Sequence, residues 1–140
     1  MTEPLVIGLH DCKWIKDSNT KMITLNRTST TGSSAMKLDG VDYQVPAGKK
    51  FIILQVSANG YQQYGGVFGI RVYKGATAGT LTTELVAVAA GWAIHTYAIS
   101  GGSGGNNIQC YIEVEAGQYI NSSNLGTQGG GIVTGVETNA

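Results

Sequence analysis

The chain has 140 residues and no net charge at neutral pH, because nine lysine and arginine residues balance nine aspartate and glutamate residues. Charged residues make up only 13% of the chain, against about 25% in an average soluble domain. Such a surface offers nothing that would attract nucleic acid or an anionic membrane, so both are excluded as expected partners. The length fits a single domain with its own core.

The first predicted unit is an N-terminal arm or edge segment, residues 1–19. It has no basic region, and its apolar run, Leu5–Ile7, is too short for a secretory signal or a membrane span, so we expect a soluble chain. Leu9 to Asp17 has weak helical spacing, which allows at most one short helix. Trp14 could anchor this arm on its own subunit or on a neighbour. Residues 20–140 are predicted to form the folded domain.

The rest of the chain consists of short apolar and β-branched segments separated by clusters of glycine, serine, asparagine and threonine. This pattern predicts an all-β, two-sheet antiparallel β-sandwich with four or five strands in each sheet. The ten predicted strands are Met22–Asn26, Met36–Leu38, Tyr43–Val45, Lys50–Ala58, Val67–Tyr73, Glu84–Ala89, Trp92–Ile99, Ile108–Glu115, Gln118–Asn121 and Gly131–Glu137.

The pattern within three of these strands indicates what they pack against. The segment Lys50–Val56 is apolar almost throughout, so we expect both of its faces to be covered. In Val67–Lys74 every second residue is apolar, which places one face of that strand in the core. The same alternation puts Cys110 on a buried face as a reduced thiol, with its pairing to Cys12 left open. Trp92 is also assigned to the core.

Two corners of the chain repeat each other. A strand ends at Val45-Pro46-Ala47-Gly48 and again at Val114-Glu115-Ala116-Gly117, and each corner turns on its glycine into another apolar strand. A corner repeated in both halves fits a jelly roll, which consists of two Greek keys.

A resemblance rests on these corners. The segments Val45–Phe51, Val114–Ile120 and Gly129–Glu137 resemble those of the capsid cement or decoration proteins of tailed bacteriophages. Similar corners occur in tail-tip, fibre-head and tumour-necrosis-factor-like trimers. The resemblance implies a jelly-roll homotrimer that sits on a capsid lattice beside the major capsid protein, and hence a virion location.

The motifs that could carry chemistry are better explained structurally. Gly101–Gly105 matches the G-x-S-x-G nucleophile elbow, but no helix is expected after it, so we predict a hairpin tip. His10 and His95 have no metal-ligand spacing. Two carboxylate pairs remain. Glu113 and Glu115 are interpreted as solvated residues on a strand edge. Asp39 and Asp42 are assigned to a turn, where weak calcium binding is left open. We therefore expect no enzyme and no cofactor.

The segment from Tyr61 to Gly66 predicts a contact surface, because it combines tyrosine rings with amides and carries no charge. Its candidate contact residues are Tyr61, Gln62, Gln63 and Tyr64, with Trp14 as a further candidate. The expected function is that of a non-enzymatic virion structural protein that associates with itself. The alternative is a carbohydrate-binding or receptor-binding module that uses these residues on a neutral glycan.

Overall fold

A computed structural model describes residues 19–63, 65–93 and 102–140. Every regular element in these residues is a β-strand, which confirms the all-β class. The predicted helical stretch from Leu9 to Asp17 lies outside the described residues. The strands are β1 (Lys21–Asn26), β2 (Ser33–Ala35), β3 (Lys37–Leu38), β4 (Val41–Asp42), β5 (Lys49–Gln62), β6 (Gly66–Gly75), β7 (Thr83–Ala93), β8 (Gly102–Glu115), β9 (Tyr119–Leu125) and β10 (Gln128–Asn139).

The strands form two antiparallel sheets, one of six strands in the order β4-β3-β1-β10-β5-β8 and one of four in the order β2-β9-β6-β7. The short β3–β4 hairpin extends one edge of the larger sheet. Without it, β1-β10-β5-β8 faces β2-β9-β6-β7, so the first strand pairs with the last and the second with the last but one. This is the strand order of a jelly roll, as the repeated corners predicted.

The core lies between the two sheets. The alternation in β6 has the predicted result, since Phe68, Ile70 and Val72 are almost completely buried on the inner face. Phe51 and Ile53 of β5 reach the same core from the larger sheet. Sequence alternation therefore identified the inner face of β6 correctly.

The two repeated corners lie against each other. Gly48 and Gly117 have φ angles of 74° and 86°, the left-handed conformation that glycine adopts without strain. The amide of Gly117 donates to the carbonyl of Val45 at 2.8 Å, and the amide of Val45 donates to the carbonyl of Gln118 at 2.9 Å. Gln44 forms an isolated antiparallel β-bridge with Tyr119 here, so the predicted strand Tyr43–Val45 is reduced to a single bridge.

Trp92 is not a core residue. Its side chain is 67% exposed, on the outer face of the four-stranded sheet. The cause is a β-bulge in β7, where Gly69 pairs with Ala89 and Phe68 pairs with Gly91, which leaves Ala90 as an extra residue. One extra residue moves every later side chain to the opposite face of the sheet. The bulge also falls inside a single strand where the sequence suggested a break; residues 94–99 of the second predicted segment lie outside the described residues.

The hairpin tip predicted at Gly101–Gly105 is also wrong for residues 102–105, while Gly101 lies outside the described residues. Residues 102–105 belong to β8 and pair with residues 62–59 of β5. A Cβ atom at Gly104 would lie 3.0 Å from the carbonyl oxygen of Ala90, in a strand of the other sheet. Glycine inside a strand is expected where another backbone comes this close. These glycines allow the edges of the two sheets to approach each other.

Arg27 connects the loops and strands at one end of the sandwich by hydrogen bonds. Its side chain is buried, and Nε donates to the carbonyl of Gly129 at 2.7 Å. Nη1 donates to the carbonyl of Ser122 at 2.9 Å and to its hydroxyl at 3.0 Å, while Nη2 donates to the carbonyl of Gly32 at 2.6 Å. Burial lowers the pKa of Arg27 from its ordinary value. One guanidinium thereby joins the β1–β2 loop, β9 and β10.

A second buried polar pair lies at the opposite end of β10. The hydroxyl of Tyr43 donates to Oε1 of Glu137 at 2.9 Å, and the tyrosine ring packs edge-on against Phe51 with centroids 5.3 Å apart. Lys21 approaches the other carboxylate oxygen at 3.5 Å. Burial, followed by the hydrogen bond to Glu137, raises the pKa of Tyr43 well above its ordinary value. The phenol therefore remains a hydrogen-bond donor through the neutral range.

Candidate functional site

The predicted contact residues divide into three groups. Tyr61 and Gln62 end strand β5, and Gln63 lies in the short connection to β6. Tyr64 and Trp14 lie outside the described residues. The segment is thus more strand and less loop than the sequence suggested.

Gln62 is engaged within the fold. Its side-chain oxygen accepts a hydrogen bond from the hydroxyl of Thr127 at 2.7 Å, and its amide nitrogen donates to the carbonyl of Gly65 at 3.3 Å. The same Thr127 hydroxyl accepts from the amide of Gln63 at 3.0 Å. These bonds tie the β5–β6 connection to the β9–β10 turn. Among the described candidates, Tyr61 lines a depression in the surface.

That surface is a trough on the outer face of the six-stranded sheet. Two adjoining depressions of about 380 and 430 Å³ share Thr30, Asn59 and Gly130. Together they are lined by Asn26, Arg27, Thr30, Ser57, Ala58, Asn59, Gly60, Tyr61, Ser103, Gly104, Gln128, Gly130, Gly131 and Ile132.

The strand register explains why a trough forms there. Asn59 pairs with Gly105 on one side and with Gly130 on the other, so its row across three strands carries one outward side chain. A Cβ atom at Gly130 would lie 2.6 Å from Oδ1 of Asn59, which shows that the Asn59 amide lies over that glycine. The row beyond it contains Tyr61, with Ser103 and Gln128 as its pairing partners. The row of Gly105, Asn59 and Gly130 therefore has less side-chain volume than the row beside it, and the surface is lower there.

The trough is chemically neutral. Its described side chains offer hydroxyls and amides, including Asn59 and Gln128, together with the ring of Tyr61. Among the described lining residues the one cation is Arg27, and its guanidinium donates to carbonyl and hydroxyl oxygens inside the fold. Amides and hydroxyls pair with ligand hydroxyls, and an aromatic ring packs against an apolar ligand face. Such a site suits a neutral, hydroxyl-rich ligand.

A second surface lies on the outer face of the four-stranded sheet. Trp92 pairs with Val67, and the next outward row contains Ala89, Gly69 and Leu125. We call these five residues the Trp92 strip. The small residues beside the exposed indole make the strip flat and apolar, which is typical of a protein contact surface.

The acidic residues near the edge strand β8 are engaged in ion pairs. Glu113 lies 3.0 Å from the ammonium of Lys50, and Glu115 lies 2.8 Å from that of Lys74. The hydrogen bond from Lys74 lowers the pKa of Glu115. Glu113 lies on the outward face of this edge strand, as predicted, whereas Glu115, at the end of the strand, reaches Lys74 of the facing sheet.

Among the described residues, the other candidate chemical groups do not converge on one site. Asp42, in the turn that was left open for calcium, forms an ion pair with Lys37. The thiol of Cys110 is half-buried on the inner side of β8, where burial raises its pKa. His10 and His95 lie outside the described residues. Within residues 19–63, 65–93 and 102–140, no three histidine, cysteine, aspartate or glutamate side chains form a metal-binding group.

Comparison of the chain with protein-family models, with curated proteins and with solved structures gives no match. Across the described part of the chain, no helix has the length and apolar character needed to cross a membrane. The trough and the Trp92 strip are the candidate functional surfaces of the described residues.

Proposed function

We propose that the protein is a non-enzymatic structural component of a viral particle, a decoration or cement protein that stabilises an assembly through surface contacts. The observation that carries this proposal is the Trp92 strip. Trp92 is 67% exposed and lies beside apolar residues. Moving its indole from water into contact with a partner is favourable, because apolar surface is removed from water.

Two further features support a role in assembly. A chain with no net charge and few charged residues has weak electrostatic repulsion between its copies. The jelly-roll strand order occurs in viral capsid proteins. The assignment to a virus therefore rests on fold analogy and on the resemblance of the corners. The partner that we assign to the strip is a second copy of this chain. The resemblance implies a trimer seated on a major capsid protein.

The test is the mass of the protein in dilute solution, measured by native mass spectrometry on the wild type and two variants. Trp92→Ser removes the main side chain of the strip. Tyr111→Ser is the matched control, because Tyr111 is similarly exposed, at 60%, but belongs to the other sheet. We expect a wild-type oligomer, a monomeric Trp92→Ser variant and an unchanged control. A wild type that remains monomeric at micromolar concentration would contradict the proposal.

A second candidate function is the binding of a neutral glycan in the trough. The observation that favours it is the row of Gly105, Asn59 and Gly130 beside Tyr61, which leaves open space between amide groups and an aromatic ring. Jelly rolls also occur in lectin domains, so the fold is compatible with this function.

A glycan array tests this second function. Tyr61→Ala and Asn59→Ala remove the ring and the central amide, and Tyr111→Ala again serves as the control. Binding to a neutral sugar that both trough variants lose and the control retains would support the function. A blank array for the wild type, or binding that survives in both trough variants, would reject it.

A further inference from the structure

A pair of apolar residues is buried on the outer face of the six-stranded sheet, the face that points away from the core. Ile52 and Val136 are direct cross-strand neighbours, and their side chains are 2% and 0% exposed. The residues next to them, Phe51 and Glu137, also pair with each other and point inward. Because side chains alternate along a strand, Ile52 and Val136 point outward, away from the core.

The neighbours of this pair in the sheet do not account for its burial. Met22 pairs with Val136 on one side and is 50% exposed, and Glu113 pairs with Ile52 on the other with a side chain that is 49% exposed. Side chains stand roughly perpendicular to a sheet, so they surround a neighbour without covering it. We call Met22, Ile52 and Val136 the outer apolar patch. It requires a cover that approaches from above the sheet.

The sequence supports the same requirement independently. Strand β5 is apolar at every position from Phe51 to Leu54, which is typical of a strand that is covered on both sides. The inner face meets the second sheet, but the sandwich has no third layer among its described strands. The outer apolar patch is where such a layer is needed.

The N-terminal segment enters at this face. The hydroxyl of Thr20 lies 2.7 Å from that of Thr138, which is on the same outward side as Val136 and two residues further along β10. Two residues of a strand span about 7 Å. The carbonyl of Asn19 accepts a hydrogen bond from Lys49 at 3.3 Å. Residues 1–18 therefore join the described chain beside the outer apolar patch.

The composition of residues 1–18 suits the patch. The segment contains Leu5, Val6, Ile7 and Ile15, and also Trp14. A segment tethered next to a surface has a high effective concentration there, which favours it over the same segment of another molecule. We infer that residues 1–18 pack on the outer apolar patch of their own chain and form a third layer over the six-stranded sheet.

The test is a paramagnetic relaxation measurement on the full chain. A nitroxide is attached to Cys12 in a Cys110→Ser variant, with Cys110→Ala as the second background if serine is not accommodated on the inner face. Methyl signals of Ile52 and Val136 report on the patch. Those of Val67 and Leu125, on the outer face of the other sheet, are the matched control. We expect Ile52 and Val136 to lose most of their intensity and the control methyls to lose less.

Two results would overturn the inference. One is an equal loss of intensity at both faces, which would mean that the segment does not favour the patch. The other comes from a mixture of two samples: one carries the spin label and no isotopic enrichment, and one is isotopically enriched and carries no spin label. In this mixture, a loss of signal intensity at Ile52 and Val136 would contradict the inference. That result would place the arm on a neighbouring molecule. Neither outcome depends on the Trp92 strip, so the inference can fail while the proposed assembly function stands.

Discussion

Arg27→Ala removes a guanidinium that is 8% exposed and that reaches four separate parts of the chain. Its acceptors are the carbonyl of Gly129 in β10, the carbonyl and hydroxyl of Ser122 in β9, the hydroxyl of Ser34 in β2 and the carbonyl of Gly32 in the β1–β2 loop. No carboxylate among the described residues pairs with this cation. Its contribution therefore comes from hydrogen bonds to neutral oxygens.

The expected loss of stability follows from the acceptors left behind. The hydrogen bonds to Gly129 and Ser122 are buried, and losing a buried hydrogen bond from a cationic donor costs about 1–3 kcal/mol, or about 2–6 kcal/mol for the two. Removing the cation also removes its desolvation penalty, the same effect that lowers the pKa of Arg27. We therefore expect the lower part of that range, about 2–4 kcal/mol, out of a total of about 5–15 kcal/mol for a typical domain.

Guanidinium chloride unfolding followed by far-ultraviolet circular dichroism measures this loss. The control is Arg71→Ala, because the Arg71 side chain is 46% exposed and lies 3.6 Å from Glu84, an ion pair that contributes less than about 1 kcal/mol. The reasoning would be refuted if Arg27→Ala lowered the free energy of unfolding by less than about 1 kcal/mol with an unchanged denaturant slope.

Four other predictions concern the Tyr43–Glu137 hydrogen bond, the titration of Tyr43, two glycines and the Glu115 ion pair. Tyr43→Phe leaves the buried Glu137 carboxylate without its phenol donor, so we expect a loss of about 1–3 kcal/mol in the same unfolding assay. Because burial raises the pKa of Tyr43, the wild type should lose about 1.4 kcal/mol per pH unit above about pH 10, a slope that Tyr43→Phe removes. Gly129→Ala would push a Cβ atom into a carbonyl of the facing sheet and should lower the melting temperature, whereas Gly105→Ala, 3.4 Å from its nearest neighbour, should change it little. Glu115→Gln should reduce stability by less than about 1 kcal/mol at neutral pH and by nothing at pH 2, since the lowered pKa contributes stability only above the acidic range.

The fold could be predicted from the sequence where the pattern is local. Alternation in β6 identified its inner face, and the repeated corners at Gly48 and Gly117 identified the jelly roll. Both signals depend on residues that are close together in sequence. The sheet sizes, six and four strands, depend on long-range pairing and were estimated less well.

The errors arose where the determining contact is distant. The facing of Trp92 depends on a single bulge residue, Ala90, which leaves no clear mark in the sequence. The strand conformation of Gly104 depends on the nearby backbone of β7, whereas the local composition of glycine and serine is typical of a turn. A local pattern cannot report either contact.

The candidate site was only partly predictable for the same reason. Tyr61 was identified from its neutral aromatic and amide surroundings. Asn59, Gln128 and Ser103 were missed, because only the strand register brings them together from three strands. Their one sequence signal is that each lies at an outward position of a strand beside glycine.

The central claim is that the protein works by surface contact through the Trp92 strip. Hydroxyl-radical footprinting of the wild type over a range of protein concentrations tests it most directly, with Tyr111 as an internal reference. We expect oxidation of Trp92 to fall as the protein concentration rises, while that of Tyr111 stays constant. Trp92 that remains as reactive at high concentration as at low concentration would contradict the claim.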